Sequence, residues 1–161
     1  MCAENIPRFI VDLNAGKLAK WLRLIGYDTS LFDRRDDKYL INLALTENRI
    51  ILTRDTQIMQ RRVVTVGKIK ALLISSDKPV RQIQQVIREF HLDPSHNPLK
   101  ICLECNRPLA PISKEEIEDR VPPYVYQTQI QFIECPNCRR IYWQGTHWQA
   151  MLKKLAALAD S

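Results

Sequence analysis

Short apolar runs and amphipathic stretches alternate along the first part of the chain. Four short segments predict strands and cover residues 8–12, 27–32, 49–53 and 71–74, and all but 27–32 are mainly apolar. The stretches after them predict helices over 14–25, 37–47 and 56–62, and a fourth helix with Pro79 near its first turn and an apolar stripe of Val80, Ile83, Ile87 and Phe90. Asn14 is expected to cap the first of these helices, and Ser76 or Asp77 the last. Strands that alternate with helices predict an α/β fold in which helices cover both faces of a parallel sheet.

The periodicity changes after residue 90. Residues 91–100 contain two prolines and predict a linker, which divides the chain into an α/β domain over 1–98 and a second region over 99–161. In the second region, the alternation of glutamines with Thr128, Ile130 and Phe132 along 124–134 predicts an antiparallel strand with one solvent-exposed face. An amphipathic pattern over 146–159 predicts a C-terminal helix.

Composition and charge narrow the class of protein. The 161 residues are 45% hydrophobic and 26% charged, which is too apolar for a chain that is mainly disordered. No apolar run approaches the roughly 20 residues that a membrane span requires. The N-terminal residues lack the basic and then apolar pattern of a signal peptide, so we expect a cytoplasmic protein without a membrane partner. A net charge of +6 permits a nucleic-acid partner but does not require one.

The cysteines form two C-x-x-C pairs in the second region. Cys102 and Cys105 make the first pair, Cys135 and Cys138 the second, and Cys2 stands apart from both. Two such pairs are typical of tetrahedral zinc, because each short loop presents two thiolates to one ion. Two disulfides, a redox C-x-x-C and an iron–sulfur cluster are the alternatives that we weigh less. The separation between the pairs leaves room for a hairpin or an inserted loop.

Acidic residues recur where the predicted strands end. Asp12 ends the first strand, and Asp33, Asp55 and Asp77 lie beyond the second, third and fourth. The carboxyl ends of parallel strands meet at one edge of a sheet. Asp37 shares a helix face with apolar residues and is therefore expected to point toward the protein. Taken singly, such acids are more often structural, since aspartate caps helices and occupies turns, and this applies to Asp33, Asp37 and Asp77 as well as to Asp36.

Carboxylates gathered at one edge repel each other unless a cation compensates them. Mg²⁺ or Mn²⁺ prefers such oxygen ligands, and these ions activate a water and stabilise the leaving oxygen in phosphodiester cleavage. Basic residues close in sequence to the acids are expected to hold phosphates. They are Lys17, Lys20, Arg23, Arg54, Arg61 and Arg62. A dinucleotide site is disfavoured because no G-x-G-x-x-G follows the first strand.

Several long motifs resemble one known family, the Mut-seven C-terminal RNase domain. The resemblance extends over roughly residues 8 to 152 and rests on FIVDLNAGKLAKWLRLIGYDT, DDKYLINLALTENRIILTRD, the C-x-x-C pairs and IYWQGTHW. It implies a PIN-like three-layer α/β/α domain with a central parallel sheet and an appended zinc ribbon. The implied activity is that of a Mg- or Mn-dependent ribonuclease that leaves 5′-phosphate and 3′-hydroxyl ends. The implied partner is RNA, with tRNA or another structured RNA included.

The resemblance also implies roles for particular residues. It assigns Asp12, Asp37 and Asp55 to the catalytic metal and offers Asp77 as a loosely matching fourth acid. Arg23 and Arg54 match basic positions of the family and are expected to contact phosphate. Neither the resemblance nor the sequence determines whether the protein forms a homo-oligomer.

Two alternatives accompany these expectations. The chain could instead be an RNA-binding or protein-docking adaptor whose PIN-like domain is degenerate, although the three acids together favour the enzyme. Trp143, His147 and Trp148 could stack on unpaired bases, but we favour packing for the tryptophans, because a small zinc module needs them as core. His147 is not expected to bind zinc, since four thiolates complete a structural site.

Overall fold

The computed structural model of the protein describes residues 5–159, so Cys2 lies outside the described residues. The α/β part contains four parallel strands in the order β2-β1-β3-β4. They are β1 (Phe9–Asp12), β2 (Thr29–Phe32), β3 (Ile50–Thr53) and β4 (Ala71–Leu73). All four predicted strands are confirmed. β2 begins two residues later than predicted, because the Tyr27 amide still donates to the Leu22 carbonyl and completes the end of the preceding helix.

Gly26 makes this helix end possible. Its φ is +99°, a conformation that L side chains rarely adopt, and a Cβ there would lie 2.4 Å from the Asn97 carbonyl oxygen. The Asn97 amide also donates to the Ile25 carbonyl at 3.0 Å. The residues predicted as a linker are therefore tied against the end of the first helix.

Five α-helices accompany the parallel sheet. They are α1 (Gly16–Leu24), α2 (Asp37–Thr46), α3 (Thr56–Met59), α4 (Arg62–Thr65) and α5 (Pro79–Phe90). A 3-10 turn over Leu13–Ala15 precedes α1, and the side chain of Asp12, not that of Asn14, accepts from a backbone amide there. The predicted cap of α5 is also wrong, because Lys78 is the capping residue and no side chain caps this helix.

Helices cover both faces of the sheet, which confirms the three-layer α/β/α architecture. On one face, Phe9, Val11 and Leu52 pack with apolar residues of α1 and α5. On the other face, Ile10 and Ile51 pack with residues of α2, α3 and the loop before β4. Alternate residues of each central strand thus enter opposite cores, as the twofold period of a strand requires.

The C-terminal region forms a small antiparallel sheet in the order β5-β6-β7. The strands are β5 (Ala110–Ile112), β6 (Phe132–Glu134) and β7 (Ile141–Tyr142). A 3-10 segment (Lys114–Arg120) and α6 (Pro123–Thr128) connect β5 to β6, and α7 (Thr146–Ala159) ends the described chain. None of the helices in residues 5–159 is both long enough and apolar enough to cross a bilayer.

The prediction of one strand over 124–134 is wrong in its first half. Pro123 occupies the first turn of α6, where its fixed φ and missing N–H favour a helix start. Val125 and Tyr126 pack from this helix against the core of the small sheet. Only Phe132–Glu134 pairs as a strand, and Ile130, which the alternation would have buried, is 85% exposed.

The tryptophans pack, as favoured from the sequence. Trp148 and Leu155 of α7 are buried in the main core with residues of α5. The Trp143 ring lies edge-on to Phe132 at 6.3 Å, so it packs within the small sheet and not on the α/β domain. The C-terminal helix therefore completes the core of the α/β domain.

Polar contacts hold the first C-x-x-C turn against α1 and β2. The Asn106 side chain donates to Asp28 Oδ1 at 2.6 Å and accepts from the Thr29 amide at 2.9 Å. The Arg23 guanidinium donates to the Thr29 and Leu103 carbonyls at 2.8 and 2.7 Å. These bonds join the two regions at a seam that we define by these five residues.

Asp28 is the charged member of this seam, and we expect Asp28→Asn to destabilise the protein. Burial raises the pKa of Asp28, but hydrogen bonds from Asn106 and Arg49 outweigh this effect and hold the pKa below its usual range. The lost charge–dipole and ion-pair interactions should cost about 1 kcal/mol at pH 7, a value reduced because the side chain is 39% exposed.

The pH dependence of this loss follows from the lowered pKa. Asp28 stabilises the fold above its ordinary pKa, and the stabilisation is lost as the pH falls through the lowered value. Urea unfolding should therefore show a difference between wild type and Asp28→Asn at pH 7 that shrinks below about pH 4. The exposed Asp33 provides the control Asp33→Asn, and an equal effect of both variants at pH 7 would contradict this role for the seam.

Candidate active cleft and metal centre

The carboxyl ends of β1 and β3 lie side by side at the centre of the parallel sheet. The chain leaves β1 toward β2 on one side and enters β3 on the other, which is the arrangement that opens a crevice at a sheet edge. A cleft of about 310 Å³ lies here, and Asp12, Asp37 and Asp55 all line it. The other lining residues are Leu13, Asn14, Phe32, Arg34, Arg35, Leu40 and Ile58.

Asp12 is the most firmly held of the three acids. Its side chain is buried at the end of β1, where Oδ1 accepts from the Asn14 amide at 3.1 Å. Oδ2 accepts a short hydrogen bond from the Thr53 hydroxyl. Thr53 is fully buried, and its oxygen also accepts from the Asp55 amide at 2.9 Å. Thr53 therefore links the two acids, a role that the sequence reasoning missed although a hydroxyl residue at the end of an apolar strand signalled it.

Asp37 and Asp55 come to the cleft from the starts of two helices. Asp55 Oδ1 accepts from the Gln57 amide at 2.9 Å, so this oxygen caps α3. Asp37 begins α2, and its Oδ2 lies 3.5 Å from the Arg61 guanidinium. Among residues 5–159, the cysteines alone form a group of three or more metal-ligand side chains with all ligand atoms within 4.8 Å of one another. At least one pair of the three carboxylates in the cleft therefore lies more than 4.8 Å apart.

The remaining acids lie elsewhere. Asp36 caps α2 by accepting from the Tyr39 amide at 3.2 Å. Asp33 is exposed between β2 and α2 and is not among the residues that line the cleft. Asp77 lines a separate groove of about 660 Å³ beside β4 and α5. Neither Asp33 nor Asp77 therefore extends the acidic set.

The basic residues chosen from the sequence are divided among different surfaces. Arg61 lies at the cleft through Asp37, and Arg54 lines the separate groove that contains Asp77 and Arg81. Arg23 is 6% exposed and donates to two backbone carbonyls, so its guanidinium lies in the seam and not in the cleft with the acids.

Two lysines of α1 lie apart from the acids. Lys20 pairs with Glu104 at 2.9 Å, and with Lys17 it borders an apolar groove that Trp21 and Met151 line. The cleft instead contains Arg34 and Arg35, which were not among the basic residues selected from the sequence.

The four paired cysteines converge in the C-terminal region. Their Sγ atoms all lie within 4.8 Å of one another, and the described cysteines are free thiols. Each C-x-x-C turn closes in the same way, because the Asn106 amide donates to the Cys102 carbonyl at 2.9 Å and the Arg139 amide to the Cys135 carbonyl at 2.8 Å. Asn106 and Arg139 both have positive φ, at 59° and 68°. Two similar turns thus present two thiols each, and the cluster could hold a metal such as zinc.

The thiols themselves favour a cation at this point. Burial raises the pKa of Cys102, but a hydrogen bond from Tyr142 and two from the backbone lower it to about 7. For Cys138, a backbone hydrogen bond from Arg140 lowers the pKa, but burial and the neighbouring thiols raise it to about 12. Four crowded thiols cannot all ionise by themselves, whereas a metal ion binds them as thiolates.

Comparisons with known proteins give one finding. Searches of curated proteins and of solved structures find no match to the chain. The family model described as Mut7-C RNAse domain matches residues 7–155, which is nearly the whole chain. This family description points to a nuclease-like function with RNA as the general class of substrate. On the evidence of that match and of the fold, the chain belongs to the Mut7-C RNAse domain family.

Proposed function

We propose that the protein is a Mg- or Mn-dependent ribonuclease that cleaves RNA phosphodiester bonds in the cleft at the ends of β1 and β3. The observation that carries this proposal is that Asp12, Asp37 and Asp55, from three separate elements, line one small cleft at the switch point of the sheet. The RNase domain family gives independent support for the reaction class. RNA is the proposed partner, with tRNA and other structured RNAs as candidates.

The donor set of the cleft fits a hard divalent cation. The candidate ligands are carboxylate oxygens, and a cation relieves their mutual repulsion. Asp12 fits this role best, because its two hydrogen bonds fix its carboxylate at the base of the cleft. Mg²⁺ or Mn²⁺ bound there supplies the activation of a water and the stabilisation of the leaving oxygen.

The protein's own side chains orient the substrate and the acids. Thr53 holds Asp12 and the Asp55 backbone in a fixed relation. Arg61 lies beside Asp37, and Arg35 lines the same cleft, so both guanidinium groups are placed to contact phosphate oxygens. Arg54 extends the basic surface into the neighbouring groove.

The cysteine cluster is proposed to hold zinc as a structural metal. Four thiolates complete a tetrahedral site and leave no open position for a reaction. The acid cleft and the cysteine cluster then bind different metals, because oxygen ligands select Mg²⁺ or Mn²⁺ and thiolates select zinc. If the protein is instead an adaptor, it binds zinc at the cysteine cluster but does not cleave RNA at the acid cleft.

The test is RNA cleavage in the presence of manganese by wild type and by Asp55→Asn. We expect the variant to cleave at least about 100-fold more slowly, because mutating a residue that only hydrogen-bonds to a metal ligand already lowers activity by about 10- to 100-fold. Asp119→Asn changes the same charge on the exposed surface of the C-terminal region and should cleave like wild type. Equal cleavage by all three proteins would point to a contaminating nuclease and reject the site, whereas RNA binding without cleavage by wild type would favour the adaptor.

A further inference from the structure

An aromatic and basic cluster stands at one wall of the acid cleft. We call it the rim cluster and define it as Phe32, Arg34, Arg35 and Tyr39. Phe32, Arg34 and Arg35 line the cleft itself. The Tyr39 ring stacks on Phe32 with a centroid distance of 6.0 Å and an interplanar angle of 27°. The Arg34 guanidinium carbon lies 4.9 Å from the Tyr39 centroid.

The ring of Tyr39 differs from a ring that only fills a core. Phe32 below it is 5% exposed, but Tyr39 remains 41% exposed. Within residues 5–159, its hydroxyl forms no hydrogen bond to another protein group. The backbone of Tyr39 is nevertheless fixed, because its amide donates to the Asp36 cap of α2. The fold therefore holds a partly exposed surface, made of the Tyr39 ring and the Arg34 guanidinium, in place beside the acids.

Two arginines beside this ring can contact an anionic partner, although Asp33 and Asp36 flank them in sequence. Arg34 and Arg35 are exposed, and in the described part of the chain neither forms an ion pair with an acid. Arg61, in contrast, lies 3.5 Å from Asp37 Oδ2. Two unneutralised guanidinium groups next to an exposed ring combine the two features that bind single-stranded nucleic acid, which are phosphate contacts and planar surfaces for bases.

We infer that Tyr39 and the Arg34 guanidinium that it holds stack on an unpaired nucleobase, while the neighbouring phosphodiester lies in the acid cleft. This inference rests on the proposed function and adds a substrate class to it, namely RNA with an unpaired nucleotide at the cleavage site. Bases inside a duplex are stacked on both faces, so only a splayed or single-stranded base can reach a tyrosine ring or a guanidinium plane. Arg35 then contacts the backbone phosphate next to that base.

Binding measurements test this inference without requiring cleavage. Fluorescence anisotropy with calcium as the divalent ion compares a labelled single-stranded oligouridylate, an oligomer of equal length with abasic nucleotides, and an RNA duplex. The proteins are wild type, Tyr39→Ala, Tyr39→Phe and the control Tyr124→Ala, which removes another exposed tyrosine. Thermal unfolding of each variant shows whether its fold is retained.

A lost stacking contact should weaken binding of oligouridylate to Tyr39→Ala by about 5- to 150-fold. Tyr39→Phe keeps the ring and Tyr124→Ala lies elsewhere, so both should bind like wild type. Wild type should bind the abasic oligomer and the duplex more weakly than oligouridylate, and Tyr39→Ala should bind the abasic oligomer as wild type does.

Several results overturn the inference. They are equal binding of oligouridylate and abasic oligomer by wild type, unchanged binding by Tyr39→Ala, preference for the duplex, and no binding by wild type. The inference and the proposed function fail separately. Base-dependent binding without manganese-dependent cleavage rejects only the catalytic proposal, whereas cleavage that needs Asp55 but ignores Tyr39 rejects only the stacking role.

Discussion

Asp12→Asn is expected to reduce manganese-dependent RNA cleavage by more than about 100-fold and to leave the protein folded. The reduction follows from the loss of the one carboxylate that is buried at the base of the cleft. Substitution of a residue that only hydrogen-bonds to a metal ligand typically lowers activity by about 10- to 100-fold. The loss in Asp12→Asn should be larger, because Asp12 is proposed to contact the metal directly.

The fold should survive because an asparagine keeps one of the two hydrogen bonds that Asp12 accepts. Its Oδ1 can accept from the Asn14 amide, as Asp12 Oδ1 does at 3.1 Å. Its Nδ2 can donate to the Thr53 oxygen, but the Thr53 hydroxyl hydrogen then loses the acceptor that Asp12 Oδ2 provides, at a cost of about 1–3 kcal/mol. The substitution also removes one negative charge from a cleft with three carboxylates, which offsets part of this cost when divalent ions are absent.

Thermal unfolding with and without manganese distinguishes a metal ligand from a structural acid. A ligand that binds only the folded state raises the melting temperature, and this rise should be present in wild type and lost in Asp12→Asn. Asp119→Asn serves as the matched control for charge. A manganese-dependent rise of equal size in Asp12→Asn would remove Asp12 from the metal site, even if its cleavage were reduced.

The sequence predicted the parallel sheet because its two central strands, β1 and β3, are buried on both faces. Such strands appear as continuous apolar runs, and the runs at 8–12 and 49–53 need no knowledge of their neighbours to be recognised. Asp12 ends the first of these runs and Asp55 lies two residues beyond the second, so the topology brings both acids to one edge of the sheet. The position of these two acids could therefore be predicted from the local sequence pattern.

The basic residues were harder to place because a charged side chain carries no pattern that shows its direction. Arg23 lies on the basic stripe of α1, yet the seam buries it against the C-terminal region, which is distant in sequence. Arg34 and Arg35 were not selected from the sequence, and only the packing of Tyr39 on Phe32 reveals the surface that they share. Contacts of this kind depend on tertiary structure.

The segment at 124–134 shows how a local rule can mislead. Alternation of glutamines with Thr128, Ile130 and Phe132 matches a strand, but Pro123 starts a helix and Val125 anchors it in the small core. The C-terminal region has strands of only three, three and two residues. With so few backbone pairs, turns and the cysteine cluster decide its structure more than strand periodicity does.

Because the C-terminal region depends on its cysteine cluster, we expect Cys102→Ser to lose the proposed zinc and to become disordered in this region. Cys102 is buried, and its Sγ lies 3.7 Å from Cys138 Sγ and 3.3 Å from the Tyr142 hydroxyl. A serine at this position binds zinc far more weakly than a thiolate. Structural zinc contributes about 10–16 kcal/mol of apparent binding energy in zinc-finger peptides, more than the short strands here could replace.

Elemental analysis and hydrogen exchange measure the two parts of this expectation. Wild type and Cys2→Ser should contain one zinc per chain, and Cys102→Ser should contain none. Amide exchange should rise in β6 and also at Thr29, because the Thr29 amide donates to the Asn106 side chain in the first cysteine turn. Loss of the metal should thus raise amide exchange in the α/β domain as well, because the seam joins Thr29 to the first cysteine turn. Retention of zinc in Cys102→Ser, or an iron–sulfur absorbance in wild type, would contradict the zinc assignment, and fast exchange confined to the C-terminal sheet would contradict the coupling through Asn106.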